Sequence, residues 1–163
     1  MDDVLEILKA AMEVELDGIN LYKTAAEKTE DRQAKEVFLF LAQEEGKHYR
    51  YLKELHDAIK NKTNFDVNSI PKPSLTFKRI FSEDFLNNLK GKNYEFSAIS
   101  TGMILEKNSI LFYKEQAEKA HDPKVKYLFE ELMKWEEEHL NMLTNEYNDL
   151  KERFWQVNDF SPF

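Results

Sequence analysis

Residues 12–52 read MEVELDGINLYKTAAEKTEDRQAKEVFLFLAQEEGKHYRYL, and residues 103–143 read MILEKNSILFYKEQAEKAHDPKVKYLFEELMKWEEEHLNML. The two stretches align without a gap and share 15 of 41 positions. Glu15, Tyr22, Glu45 and His48 recur 91 positions later as Glu106, Tyr113, Glu136 and His139. Each copy is Glu-x6-Tyr followed by Glu-x2-His, with its two glutamates 30 residues apart. Met12/Met103, Ile19/Ile110, Phe38/Phe129, Leu41/Leu132 and Leu52/Leu143 also match.

Apolar residues around these positions step by threes and fours. Leu5, Leu8, Met12, Ile19 and Ala26 form one stripe, and Phe38, Leu41, Leu52, Leu55 and Ile59 a second. Ile99, Met103, Ile110 and Ala117 form a third, and Val125, Phe129, Leu132 and Leu143 a fourth. Each marks one face of an amphipathic helix. The glutamates, histidines and tyrosines of the repeat fall inside these stripes. A charged group at a core position is costly unless it is paired or holds a metal.

Asp31 and Asp122 occupy matched places and suit helix N-caps, and Pro123 fits a first helical turn. The expected helices are 2–29, 31–62, 94–120 and 122–150, paired as hairpins over 2–62 and 94–150. With a turn near residue 30 or 121, each glutamate lies about 15 residues from its turn, or roughly 22 Å of helix. Glu15 and Glu45 then come out level across one hairpin, and Glu106 and Glu136 across the other. His48 and His139 stand one turn beyond Glu45 and Glu136 on the same faces. The two hairpins are expected to pack about a pseudo-twofold axis with their ligands facing each other.

Residues 63–93 break the pattern. Pro71 and Pro73 exclude a regular helix there, while Ser82 to Leu89 suits one short helix capped by Ser82, which Gly91 could end. A connection this long suits a crossover along the bundle, expected to start the third long helix at the same end as the first. The tail, 151–163, is aromatic, with Phe154, Trp155, Phe160 and Phe163. It suits either packing on its own bundle or a subunit contact.

Composition narrows the function. The chain has 163 residues, no cysteine and a net charge of −8. Its length suits one domain over 1–163. Without cysteine there is no disulfide, thiolate metal site or thiol nucleophile. The acidic balance argues against nucleic acid as a partner. No apolar run is long enough to span a membrane, and the acidic start is unlike a secretory signal. A cytoplasmic location is expected.

Four carboxylates and two imidazoles in matched sets suit two transition-metal ions, iron or manganese first, with zinc or cobalt able to bind. The charge of four carboxylates balances two divalent cations, which favours two-electron chemistry at O2 or peroxide. Without metal the clustered carboxylates should repel and partly protonate. Tyr22 and Tyr113 are expected to hydrogen-bond ligand carboxylates or take a redox role. His56 and His121 are expected in solvent, and Glu44, Glu137 and Glu138 as surface charges.

These residues resemble the ferritin-like di-iron carboxylate bundles, and most of all the rubrerythrin or erythrin branch, over about 2–150. The resemblance implies an all-α, ferritin-like four-helix bundle with a long crossover and a reduced site that converts hydrogen peroxide to water in oxidative-stress defence. It implies Glu15 and Glu106 as terminal ligands, Glu45 and Glu136 as bridging ligands, and His48 and His139 capping the two irons. Rubrerythrins proper carry a further carboxylate where this chain has Ser109, and a four-cysteine rubredoxin-like domain. Electrons must therefore come from an external donor such as a rubredoxin-like protein. A small homo-oligomer, a dimer, is expected. The alternative is iron handling of the bacterioferritin type, a ferroxidase. Gly46 stands where that family has a haem-binding Met, so no haem is expected. A structural bundle without metal is the third reading.

Overall fold

The computed structural model describes residues 2–72 and 79–157. Four long helices carry the fold: α1 Asp2–Lys28, α2 Arg32–Asn61, α4 Asn93–Lys119 and α5 Pro123–Val157. A short helix, α3 Glu83–Leu86, and a 3-10 turn, Val67–Ser69, lie in the connection. No strand occurs among the described residues. The long helices form α1/α2 and α4/α5 hairpins, with α1 also against α4 and α2 against α5.

The helix starts follow from their caps. Asp31 accepts the Ala34 N–H at 3.1 Å, and Asp122 accepts those of Lys124 at 2.7 Å and Val125 at 3.4 Å. Each cap contributes about 1 kcal/mol. α2 ends where Lys62 turns left-handed at φ 56°, its N–H returning to the carbonyls of Ala58 and Ile59. Ser82 caps α3 through the Phe85 N–H at 3.2 Å. The short helix is thus half as long as its sequence suggests, although the cap stands where expected. Gly91 is left-handed at φ 80° in the turn that leads into α4.

Two apolar clusters fill the bundle. One gathers Tyr22, Ala26, Phe38, Leu41, Ile99 and Leu143 with Phe81 and Leu86 of the connection. The other gathers Leu8, Leu52, Leu55, Tyr113, Phe129 and Leu132 with Phe65. These memberships fix the helix directions. α1 runs from the second cluster to the first, whereas α4 starts at the first and ends at the second. Lys28 at the end of α1 lies over the Tyr94 ring at the start of α4, 5.3 Å from its centroid.

This corrects the expected direction. The third long helix starts where α1 finishes, not where it begins. A short loop would return the chain at the end where α2 stops; the length of the connection lets it traverse the bundle and start α4 at the far end. The traverse is anchored there by two acids, the buried Glu146 and the half-buried Asp31. Glu146 accepts the backbone N–H groups of Ile80 at 3.1 Å and Phe81 at 3.0 Å. Asp31 accepts the Ser82 N–H at 3.0 Å and its hydroxyl at 2.6 Å.

The last helix also outruns the expected limit of 150. It continues to Val157, with Leu150 buried and Phe154 edge-on to Phe96 at 5.9 Å. The described part of the aromatic tail therefore packs on its own bundle in part, while Trp155 is exposed. Phe160 and Phe163 lie outside the described residues. No helix among the described residues is long and apolar enough to cross a membrane.

Candidate metal centre

The layer between the two apolar clusters is polar. Glu15, Glu45, His48, Glu106, Glu136 and His139 are all buried, none more than 2% exposed. α1 and α4 each supply one glutamate, and α2 and α5 each supply a glutamate and the histidine one turn on. All six glutamates and histidines singled out by the repeat meet here.

They form two overlapping cradles. Glu15, Glu45, His48 and Glu136 place ligand atoms within 4.8 Å of one another, and so do Glu45, Glu106, Glu136 and His139. Glu45 and Glu136 belong to both. His48 Nδ1 lies 3.3 Å from Glu15 Oε2, 3.1 Å from Glu45 Oε2 and 2.9 Å from Glu136 Oε1. His139 Nδ1 lies 3.1 Å from Glu45 Oε1, 3.3 Å from Glu136 Oε2 and 3.7 Å from Glu106 Oε1. The contacts repeat with the hairpins exchanged.

The donor atoms fit metal. Both Nδ1 atoms, Glu45 Oε1, Glu106 Oε2 and both Glu136 oxygens are buried without a hydrogen bond. Leaving one such atom unsatisfied costs about 1–3 kcal/mol, and more if it is charged. Here the atoms converge on common points, where a cation would satisfy several at once. Oxygen and imidazole donors without thiolate can hold iron, manganese or zinc.

The tyrosines orient the outer carboxylates across the bundle. The Tyr22 hydroxyl donates to Glu106 Oε1, and the Tyr113 hydroxyl to Glu15 Oε1. Each hairpin thus secures the glutamate of the other. Tyr22 stacks on Phe38 at 6.4 Å and Tyr113 on Phe129 at 5.8 Å, so a matched aromatic backs each hydroxyl. Burial and the charge of Glu106 or Glu15 push both phenols well up, which keeps them as donors.

Charge within the metal-free cluster settles by sharing protons. Burial, then repulsion from Glu136, holds the Glu15 carboxyl well above its usual range; burial, then Glu45 and Glu136, does so for Glu106. Burial also acts on Glu45 and Glu136, with repulsion from Glu136 added at Glu45, but the facing imidazoles outweigh this and hold both carboxyls low. Burial opposes charge on the histidines, yet Glu136 and Glu15 raise His48 well above the usual imidazole range, and Glu45 with its neighbours raises His139. The directions favour protons on the imidazoles and on Glu15 and Glu106 over protons on Glu45 and Glu136. The expected partial protonation takes this form.

Some neighbours differ from expectation. Glu44 is buried, not a surface charge; its carboxylate accepts from Lys47 one turn along the helix. Glu137 is exposed and Glu138 half-buried. His56 is half-buried, with Nδ1 3.0 Å from Asp57, whereas His121 is exposed as expected. Ser109 is buried and donates to its own helix at the Leu105 carbonyl, 3.1 Å away.

Two features carry no ligand signature and escape a reading by motif. Trp135 is buried with its ring 4.5 Å from that of His48. Its visible signal is a break in the repeat, since the matched residue is Glu44. At Gly18 a Cβ would lie 3.0 Å from Glu45 Cγ, so the missing side chain gives Glu45 its room.

A hypothetical protein from Pyrococcus furiosus is similar in structure, with a TM-score of 0.67 and 25% sequence identity, over 93% of this chain and 94% of the other. Comparison with curated proteins gives no match. The rubrerythrin family profile matches residues 6–147, which include the whole repeat and all six buried ligand candidates, and the chain belongs to the rubrerythrin family.

Proposed function

We propose that this chain is a non-haem di-iron oxidoreductase that reduces hydrogen peroxide to water with electrons from an external donor. The observation that carries the reading is the shared place of Glu45 and Glu136 in both cradles. Glu15, Glu45, Glu136 and His48 would hold one ion, and Glu106, Glu45, Glu136 and His139 the other. Bound ferrous iron would supply the two electrons that, with two protons, convert one peroxide into two waters.

The chain's own residues prepare that chemistry. The four carboxylates neutralise two divalent cations in a layer that the flanking apolar clusters keep dry. Tyr22 and Tyr113 fix the two outer carboxylates in orientation and hold their protons within the site. In the metal-free cluster the imidazoles of His48 and His139 face the carboxyls of Glu45 and Glu136, so that charge on either side has a partner when the chain folds.

A ferroxidase is the second reading, and Ser109 is the observation that favours it. Its hydroxyl is turned to the helix backbone, so the site has six ligand residues, the set that the bacterioferritin type also uses. Anaerobic loading with ferrous iron, a metal count and stopped-flow mixing with hydrogen peroxide or O2 separate the two. Two irons per chain, oxidised faster by peroxide, are expected. Faster oxidation by O2 with continued iron uptake would replace the peroxidase reading with the ferroxidase one. Failure to bind iron would remove both.

A further inference from the structure

The six ligand residues and two tyrosines obey the twofold relation, but the packing outside the histidines does not. Trp135 lies against His48, with ring centroids 4.5 Å apart and the planes tilted by 45°. Tyr51 meets the same indole edge-on, with ring centroids 6.0 Å apart. Shifted by the repeat, Trp135 corresponds to Glu44 and Tyr51 to Met142. The histidine of hairpin one therefore packs against an indole that Tyr51 contacts in turn. The positions that match this pair in the repeat, Glu44 and Met142, hold a carboxylate and a thioether, so the second histidine has no equivalent aromatic pair.

The polar atoms record the same difference. In His48 both ring nitrogens are buried without a partner, and so is Trp135 Nε1. In His139 only Nδ1 is in that state. When a metal takes Nδ1 of a neutral imidazole, the proton sits on Nε2. An acceptor for that N–H makes the ring a better ligand, and loss of such an acceptor typically costs 10–100-fold in metal affinity. The indole offers His48 no acceptor, only a second buried donor.

We infer that Trp135 makes the two metal positions unequal, so that the Glu106–His139 position fills first and the Glu15–His48 position second. The inference rests on the di-metal reading above. It assigns Trp135 a positioning role that acts through His48, and it gives the cover of each histidine control over the affinity and redox balance of the ion beside it.

Titration of the metal-free protein with Co2+ tests this without turnover. Visible absorption counts ions, and calorimetry gives the two affinities. Trp155, the other tryptophan of the chain, is replaced by Phe so that emission comes from Trp135 alone. The expected result is two ions per chain, the second roughly 10–100-fold weaker, with most of the quenching in the second step. Trp135→Phe should keep the separation, because it retains an apolar cover without an acceptor. Trp135→Gln should bring the steps together by offering His48 an amide oxygen. Two ions of equal affinity, quenching mainly in the first step, or an unchanged separation in a folded Trp135→Gln protein would overturn the inference alone. Failure to bind two ions would overturn the di-metal reading, and this inference with it. Should Trp135→Gln fail to fold, the order of quenching in the parent protein still decides.

Discussion

Hairpins one and two place the same four residues at the centre and different residues one layer out. Glu44 matches Trp135, Gly18 matches Ser109, and Leu55 matches Glu146. Leu55 lies in an apolar cluster beside Phe65, whereas Glu146 receives two backbone N–H groups from the crossover. The central residues share one set of points related by the twofold, so both copies meet the same demand. The crossover touches both ends of the bundle with different residues, Phe65 in the cluster of Leu55 and Ile80 and Phe81 on Glu146, and there the copies meet different neighbours. Repetition thus marks what the shared centre requires, and departure from repetition marks what the rest of the chain imposes.

The largest effects should come from the residues common to both cradles. Glu45→Ala with Glu136→Ala removes two ligands from each position and should abolish stoichiometric metal binding. Glu15→Ala removes a ligand from one position and should leave one ion per chain. Elemental analysis after loading checks both. Two ions retained by the double variant would refute the ligand assignment.

Protonation should separate the loaded and metal-free proteins. Below the ordinary imidazole value of 6.5, the raised histidines contribute their full stabilisation, which is lost as pH rises through their folded values. Glu15 and Glu106 act in the same direction, with full effect below 4.5 and loss as pH rises through their folded values. Glu45 and Glu136 stabilise above 4.5 and lose that effect as pH falls through their lowered values. The metal-free protein should therefore weaken on the alkaline side. Metal must displace the protons on His48, His139, Glu15 and Glu106, so it binds better as pH rises. The rise in Tm on loading should grow with pH; a rise independent of pH would contradict the shared-proton account.

Glu146 tests the outer layer in isolation. Glu146→Leu, the residue of the matched place, leaves the Ile80 and Phe81 N–H groups buried and unpaired. A loss of about 2–3 kcal/mol is expected in denaturant unfolding, with two ions still bound. Loss of metal without loss of stability would mean that the crossover anchor reaches the site.

The centre was legible because polar residues occupied stripe positions in helices with clear caps. Asp31 and Asp122 fixed the turns, and equal arm lengths then levelled the glutamates. Direction was less legible. The length of the 63–93 segment called for a traverse of the bundle, but the end at which α4 begins follows from the antiparallel return of α2. Trp135 and Glu146 were hidden for another reason. A buried tryptophan against an imidazole and a carboxylate on N–H groups more than 60 residues away depend on contacts between helices, which spacing along one helix does not encode. The extension of α5 to Val157 had a weak signal, since no Gly or Pro interrupts the run between Leu150 and Val157.

The smallest predicted effect compares two glycines that sit close to Glu45. A Cβ at Gly46 would meet nothing within 4 Å, while one at Gly18 would press on Glu45 Cγ at 3.0 Å and Cδ at 3.4 Å. Both lie inside helices, where Gly costs about 1 kcal/mol against Ala. Gly46→Ala should therefore stabilise the metal-free protein by about 1 kcal/mol and leave metal affinity unchanged. Gly18→Ala should gain less, because Glu45 must shift by a few tenths of an ångström. That shift moves a carboxylate common to both cradles, so both metal affinities should fall together. Equal stabilisation by the two substitutions, with affinity untouched, would show that Glu45 has slack and that the gap at Gly18 is not needed to place it.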